Sequence, residues 1–328
     1  YQLGKPGKSI AAAAMLIFLA TGGYIHYNTK VLNNFYGQEE SLSTQADYER
    51  NYVEFRDAPM PSVVSIDAAI DIFPEERRIA ASANISLINR TAQPISRFLV
   101  NIPQHTKIYD MQISGGKLGE INPKYNVAWF EFVEPMSPGE ERAGRLSVVR
   151  AHQGFKDRGE DVTLVKNGTF INNFELLPSF GFNESYLIRD QHERRKRDLE
   201  PLQRAYKLED TSRYVESFFG RGVEFIDFSA TISTSDDQFA IVPGYLQKEW
   251  QQDGRNYYRY EMDAPMINFF SVMSANLEKK TVEHDGINIE VYYHKNHHCN
   301  VDRMIESSQD SLDYFQKVFS PYQHKQLR

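Results

Sequence analysis

The sequence predicts a mainly β protein held behind one membrane-crossing helix: a transmembrane segment and a helical stalk, then an antiparallel sandwich or saddle. Three observations carry this expectation. The stretch Ser9–Thr29 has no formal charge and a dense apolar centre at Ile10–Ala20. Apolar and polar residues alternate with period two over Val63–Phe73 and again over Arg78–Asn89. Short β-like runs then recur down the chain with turn residues between them.

A helix needs roughly 20 predominantly apolar residues to cross a hydrocarbon core about 30 Å thick, and only an internally hydrogen-bonded helix leaves no orphan backbone groups in lipid. Lys5 and Lys8 precede the apolar stretch and Lys30 follows it, with Glu39 and Glu40 the next charges. The positive-inside bias therefore places the start in the cytoplasm and everything after residue 30 outside it, on a cell membrane. A buried core helix and a cleaved signal peptide, with Ala20 to Gly23 as its small residues, are the alternatives. The chain opens on Tyr1, and YQLGKPGKS reads as a loop before a last span, so the expectation is a piece of a longer protein. Residues 1–30 are read as loop and span.

Residues 31–60 are read as a stalk that carries the exported domain away from the bilayer. Tyr48, Tyr52 and Phe55 stand four and three residues apart, so they share one helical face, a pattern of packing more than of ligand binding. Pro59 and Pro61 close this segment. Val64, Ile66, Ala68, Ile70 and Ile72 then alternate, Phe73 to Arg77 form a turn, and Ile79, Ala81, Ala83, Ile85 and Leu87 alternate again, which predicts an antiparallel hairpin. Further strands are expected at Ile95–Asn101, Thr106–Ile113, Asn126–Phe132 and Gly144–Arg150, separated by turn residues such as Ser114-Gly-Gly116 and Ser137-Pro-Gly139. Asn183–Arg213 is densely charged but nearly balanced, which predicts a solvated helix rather than a phosphate-binding surface. Strands resume at Val223–Thr231, Phe239–Val242, Tyr257–Met262, Phe269–Leu277 and Ile287–Tyr293. Val301–Phe319 carries Met304, Ile305, Leu312, Phe315 and Phe319 at helical spacing, with Asn300 or Asp302 as cap.

At 328 residues the chain is long for one domain. A net charge of −7 argues against a general nucleic-acid binder. The single cysteine, Cys299, excludes an internal disulfide framework, which a large core makes dispensable. Asn84, Asn89, Asn167 and Asn183 fit N-x-S/T, a short pattern that matters only in a eukaryotic secretory setting.

The chain holds no H-E-x-x-H, no G-x-S-x-G, no phosphate-cradling glycine loop and no CxxC. The one metal-like run, His294 with His297, His298 and Cys299, has good zinc-ligand types at a spacing that matches no closed tetrahedral pattern. Asn173 and Glu175 stand out as polar residues in the aromatic stretch TFINNFELLPSF. They read either as a strand end satisfying the adjoining loop or as an edge that touches substrate.

Three segments together resemble the membrane alanyl aminopeptidase family of zinc gluzincins. Val63–Leu87, with its DIFPEERR turn, resembles the opening hairpin; MINFFSVMSAN at Met266–Asn276 resembles the last strand of the N-terminal β-saddle; SSQDSLDYFQKVFSPYQHKQLR at Ser307–Arg328 resembles the first catalytic-domain helix and the entry to the next strand. The last is the most specific. The resemblance implies a β-saddle over 61–277 and the truncated start of an α/β catalytic domain over 278–328. It also implies zinc in the parent protein, polarising a peptide carbonyl and activating water with a motif Glu as general base. Those ligands, on an H-E-x-x-H helix, and the G-A-M-E-N segment that holds the substrate amine do not occur in this chain.

The family's N-terminal domain donates a glutamine, in a Q-x-E context, to the free amine of a peptide substrate. The matching stretch here is Asn173-Phe-Glu175, so Asn173 and Glu175 are the implied substrate-binding residues, with Asn a shorter reach than Gln. The span in front resembles a branch in which the peptidase-like region is fused behind an ABC-type permease, which implies a transporter ATP-binding subunit as a partner. Two other classes remain at this stage: a non-catalytic extracytoplasmic binding module of a transporter, and an unrelated anchored β-sandwich adhesin. The final helix is expected to show its apolar face, Leu312, Phe315 and Phe319, with few packing partners.

Overall fold

The alternating run after Pro61 becomes the middle of the molecule's main sheet. The computed structural model describes residues 5–33, 36–156, 161–202, 207–211, 214, 220 and 222–328. Its helices are α1 (Lys5–His26), which runs on as a π-helical stretch over Tyr27–Leu32, α2 (Gln38–Tyr52), α3 (Asn173–Leu176), α4 (Gln191–Lys196) and α5 (Val301–Val318). The first strands are β1 (Ser62–Phe73), β2 (Arg78–Ile88), β3 (Ile95–Asn101), β4 (Thr106–Ile113), β5 (Gly116–Leu118), β6 (Val127–Met136) and β7 (Glu141–Ala151). Next come β8 (Leu164–Val165), β9 (Gly168–Asn172), β10 (Ser179–Phe180), β11 (Phe225–Ser235), β12 (Phe239–Ile241), β13 (Tyr245–Gln252) and β14 (Arg255–Glu261). The last are β15 (Met266–Ile267), β16 (Ser271–Ala275), β17 (Glu278–His284), β18 (Ile287–Tyr293) and β19 (Gln326–Leu327).

The main sheet runs β13-β14-β11-β1-β2-β7-β4, with β15 also paired to β11. The expected hairpin is present, Ile70 opposite Ala81 and Ile66 opposite Ile85. A bulge between Val63 and Ser65 shifts the alternation, so Val63 packs on the core where the unbroken pattern would have put Val64. On its other side β1 pairs with β11, and this pair is parallel, Ser65 opposite Asp227. The sheet is therefore mixed, not purely antiparallel as expected. The long excursion between these strands brings β11 back in the same direction as β1, which a tight hairpin cannot do.

Two four-stranded sheets, β10-β3-β6-β5 and β12-β16-β9-β8, complete the β architecture around the main sheet. One hydrophobic cluster takes side chains from all three: Ile70, Ile79 and Leu87, then Phe98 and Phe130, then Ile171 and Val272. Strands β13 and β17, rich in Gln, Lys and Glu, were not expected from hydrophobic alternation; edge position lets a strand be polar on both faces. Strands β17, β18 and β19 with α5 keep a separate cluster of Ile287, Ile289, Val301, Ile305 and Leu312. Of the terminal apolar face, Leu312 is buried, while Phe315 and Phe319 are exposed. Asn300 occupies the N-cap position without a side-chain capping bond.

The stalk expectation is corrected. Helix α2 lies on the outer face of the β3–β6 pair, and its aromatic stripe is the means. Tyr48 is fully buried among Tyr186 (stacked, ring centroids 4.4 Å apart), Tyr52, Tyr125 and Phe182, and its hydroxyl accepts from the Asn183 N–H. Phe55 packs edge-on against Trp129 of β6. The charged stretch holds this helix down. Gln191–Lys196 and a short 3₁₀ turn, Glu184–Tyr186, are helical there, and residues 203–206 and 212–213 of the expected solvated helix lie outside the described residues. Far from being solvated, Arg194 is 2% exposed. Its guanidinium pairs with both Glu49 oxygens and donates to the Ile188 and Glu200 carbonyls.

A second buried charge group follows β7. Arg150 donates to the carbonyls of Gln104 and Glu175 and to Asp161 Oδ2. His152 Nε2 lies 3.3 Å from the same oxygen without a hydrogen bond. Burial works against the Asp161 charge, but hydrogen bonds from Thr163 and the field of Arg150 win and hold its carboxyl well below the usual range. Burial pushes the His152 imidazole down to about 4.

Two measurements check these packing claims. Glu49→Ala leaves the Arg194 guanidinium buried and uncompensated, so urea unfolding of the detergent-solubilised chain is expected to show a loss of about 3–5 kcal/mol. Glu39→Ala, which removes an exposed partner of Arg197, is expected to cost under about 1 kcal/mol. For His152 the folded pKa lies below that of the unfolded chain, so the unfolded state takes up the proton first. Stability from this group is full above about pH 6.5 and falls until about pH 4. His152→Asn is expected to flatten the stability profile across that window, read by thermal unfolding at stepped pH.

Candidate functional site

Asn173 and Glu175 sit where β9 ends and the short helix α3 begins. The sequence reading extended the strand through them; the structure stops it at Asn172. Asn172 caps the helix, its side chain accepting from the Glu175 N–H while the Glu175 carboxylate accepts from the Asn172 backbone N–H and side-chain amide. This reciprocal arrangement is a capping box, and its sequence signal, Asn three residues before Glu, was present.

Asn173 points inward and is 4% exposed. Its amide donates to the Asn268 carbonyl and side-chain oxygen, and its own oxygen accepts from the Phe270 N–H. The residue thus staples α3 to the segment entering β16, and its hydrogen-bonding atoms are all engaged within the fold. Glu175 is half-buried, with the capping bonds falling on one carboxylate oxygen. Its backbone carbonyl receives the Arg150 guanidinium at 3.0 Å, which ties the turn to β7.

Around this turn lies an aromatic surface. Phe170 of β9 is 60% exposed, and Phe174 stacks on Phe269 with ring centroids 5.7 Å apart. Asn268, Phe269 and Arg150 are distant in sequence, and nothing in their local patterns marks them as neighbours of residue 173. Beneath the turn is a cavity of about 80 Å³ lined by Met60, Val63, Asn173, Phe174, Leu177 and Asn268, small beside the roughly 300–1,000 Å³ of ordinary ligand pockets. A larger open groove of about 830 Å³ follows the edge strand β4 and shares no lining residue with it. Chemically, the turn offers a carboxylate and phenyl rings to a ligand. It offers no nucleophile–base pair.

The metal-like run does not gather into a ligand set. His294 Nδ1 accepts from the Asn296 N–H, His298 Nδ1 lies 3.2 Å from the Lys295 carbonyl, and Cys299 is exposed. Among the described residues one trio brings three ligand atoms close: His284, Asp285 and Asp313, at the tip of the β17–β18 hairpin and on α5. Its histidine is already bonded to Asp313 at 2.7 Å, and that bond raises the imidazole pKa. Both its aspartates are exposed and it belongs to no H-E-x-x-H helix, so the residues of this chain do not fit the zinc centre that the resemblance implies.

No family model matches the sequence, and no curated protein matches it. Solved structures do match in fold. An M1 zinc metallopeptidase from Deinococcus radiodurans, a single-site mutant bound to a Tyr-Ser-Ala substrate, superposes with a TM-score of 0.54 at 12% identity, covering 81% of this chain and 55% of that one. The M1 zinc metallopeptidase from the same organism, described without a mutation, gives 0.53 at 11% identity over 82% of this chain and 55% of that one. A two-domain M1 zinc metallopeptidase mutant bound to L-tryptophan gives 0.53 at 12% identity. The chain therefore spans about 55% of the length of these neighbours. At such identities the likeness is one of fold: this chain folds like part of an M1 zinc metallopeptidase.

Proposed function

We propose that this chain is the anchoring and substrate-wall part of a membrane-bound zinc aminopeptidase-like protein whose metal ligands lie outside these 328 residues. The observation that carries the reading is the shared fold over 81% of the chain with zinc metallopeptidases, one of which holds a tripeptide substrate. The helix Pro6–Leu32, long and apolar enough to cross a membrane, supports the anchor, and the lysines before it support an extracytoplasmic domain. In this reading the β9–α3 turn faces a peptide. Glu175 supplies a carboxylate to its free amine, and Phe170, Phe174 and Phe269 supply an apolar wall. Fusion behind an ABC-type permease, with an ATP-binding subunit as partner, is the finer form of the proposal and rests on the resemblance of the span and stalk region.

One observation favours a second reading, a non-catalytic extracytoplasmic binding module. The residue in the position of the amine-binding glutamine, Asn173, is buried and engaged on every polar side-chain atom. The experiment is to purify the whole membrane protein containing this chain and follow release of N-terminal residues from short peptides. Zinc-dependent release, lost on chelation and regained on adding zinc, is the expected result; no release with zinc bound moves the protein to the second class. Within an active protein, Glu175→Gln is expected to raise KM for peptides with a free amine severalfold while changing kcat little, read by steady-state kinetics. Asn173→Ala is expected to act on stability instead, costing about 1–3 kcal/mol by stranding the Phe270 N–H, checked by thermal unfolding.

A further inference from the structure

The helix long enough to cross a bilayer does not leave the β domain behind at its end. Tyr24 meets the ring of Phe155 at 5.8 Å. Asn28 is buried against Gly154, whose φ is +63° and where a Cβ would come within 2.2 Å of Asn28 Oδ1. Asn33 Nδ2 donates to the carbonyls of Gln153 (2.9 Å) and Phe155 (3.1 Å). The segment 152–156, which follows β7, therefore runs beside the last turns of the helix from Tyr24 to Asn33. It is held there by a glycine that only a bare backbone can replace.

Length decides where this puts the segment. The helical run Pro6–Leu32 has 27 residues, while a hydrocarbon core takes roughly 20. Counted from Ser9, where the uncharged stretch opens, roughly 20 residues reach Asn28, so Tyr24 and Tyr27 fall in the last turn before the headgroup boundary, the layer in which Tyr is enriched. Phe155, against Tyr24, comes to the same depth. Phe155 is 37% exposed and Val162 is 69% exposed; their chain neighbours Lys156 and Asp161 approach each other at 3.5 Å, which brings the two stretches of chain together. Five residues connect Leu32 to Gln38, six Cα steps that span at most about 20 Å when fully extended, and α2 is already docked on the domain.

We propose that the 152–156 segment is a second lipid contact, with Phe155 seated in the interfacial layer of the bilayer beside the span, so that the β domain rests directly on the membrane. The partner is a phospholipid surface. The proposal rests on the anchoring half of the function proposed above.

Spin labels test both halves separately. Cys299 is the chain's only cysteine, so Cys299→Ser gives a background for single labels at Phe155→Cys, Val162→Cys, Met15→Cys in mid-span and Tyr109→Cys on the exposed face of β4. The whole chain is reconstituted in phosphatidylcholine–phosphatidylglycerol vesicles, and the accessibility of each label to oxygen and to a water-soluble nickel chelate is measured. Position 15 is expected to read as lipid and position 109 as water. Positions 155 and 162 are expected to lie between them, with nickel access severalfold below that at 109. Val162→Cys leaves the Tyr24–Phe155 contact intact, so a lipid-like reading there upholds the proposal even where the change at 155 loosens the segment. Water-like readings at both 155 and 162 with a lipid-like reading at 15 overturn it and leave the anchor standing. A water-like reading at 15 overturns both.

Discussion

Strand β1 is hydrogen-bonded along both edges, and the rest of the molecule hangs from that fact. Its antiparallel partner β2 follows after a short turn, but its parallel partner β11 lies 162 residues further on, Ser229 donating to Asp67 across the pair. A parallel pair cannot close through a tight turn, so everything between β2 and β11 is the crossover. Ile66, Ala68, Ile70 and Ile72 are buried along β1, each large side chain worth roughly 1.5–3 kcal/mol on burial. That burial repays the entropy of a closure this long. The candidate turn at β9–α3 lies within the crossover and takes one partner, Arg150 of β7, from it; its others, Asn268 and Phe270, come from beyond β11, at the entry to β16.

The same crossover holds α2, the helix that follows α1. Tyr48 and the Glu49–Arg194 pair attach α2 to the outer face of β3 and β6, and Arg194 comes from the charged stretch after β10. A buried ion pair is a poor source of net stability but a strong selector of one arrangement, because each wrong placement leaves a bare charge. With α2 docked and the 152–156 segment against Tyr24 and Asn33, the domain's orientation to the helix is set at two places. Two attachments fix the attitude of the β domain to α1, where one flexible connection would leave it free.

At the β9–α3 turn, polar groups do structural work first. Asn172 and Glu175 cap each other, and Asn173 ties the turn to Asn268 and Phe270. What is left to meet a ligand is part of one carboxylate and three phenyl groups. The packing separates the two residues that sequence treated as a pair: Glu175 is half-buried and Asn173 is locked inside.

Much of the fold was legible in the sequence, because period-two alternation reports directly which face of a strand is wet. The β1–β2 hairpin and the β3, β4 and β18 strands were readable that way, the α5 helix was readable from apolar residues at helical spacing, and the fold shared with M1 zinc metallopeptidases was legible in three short segments. Edge strands β13 and β17 were not, since polar side chains on both faces erase the signal. The sequence also supplied Asn173 and Glu175 as candidates, with the capping spacing beside them. Only the tertiary structure decided that Asn173 is buried, that α2 lies on a sheet instead of standing as a stalk, and that Arg194 is inside. Each depends on a partner more than seventy residues away, Asn268, Trp129 or Glu49, and local pattern carries no record of partners brought together by chain closure.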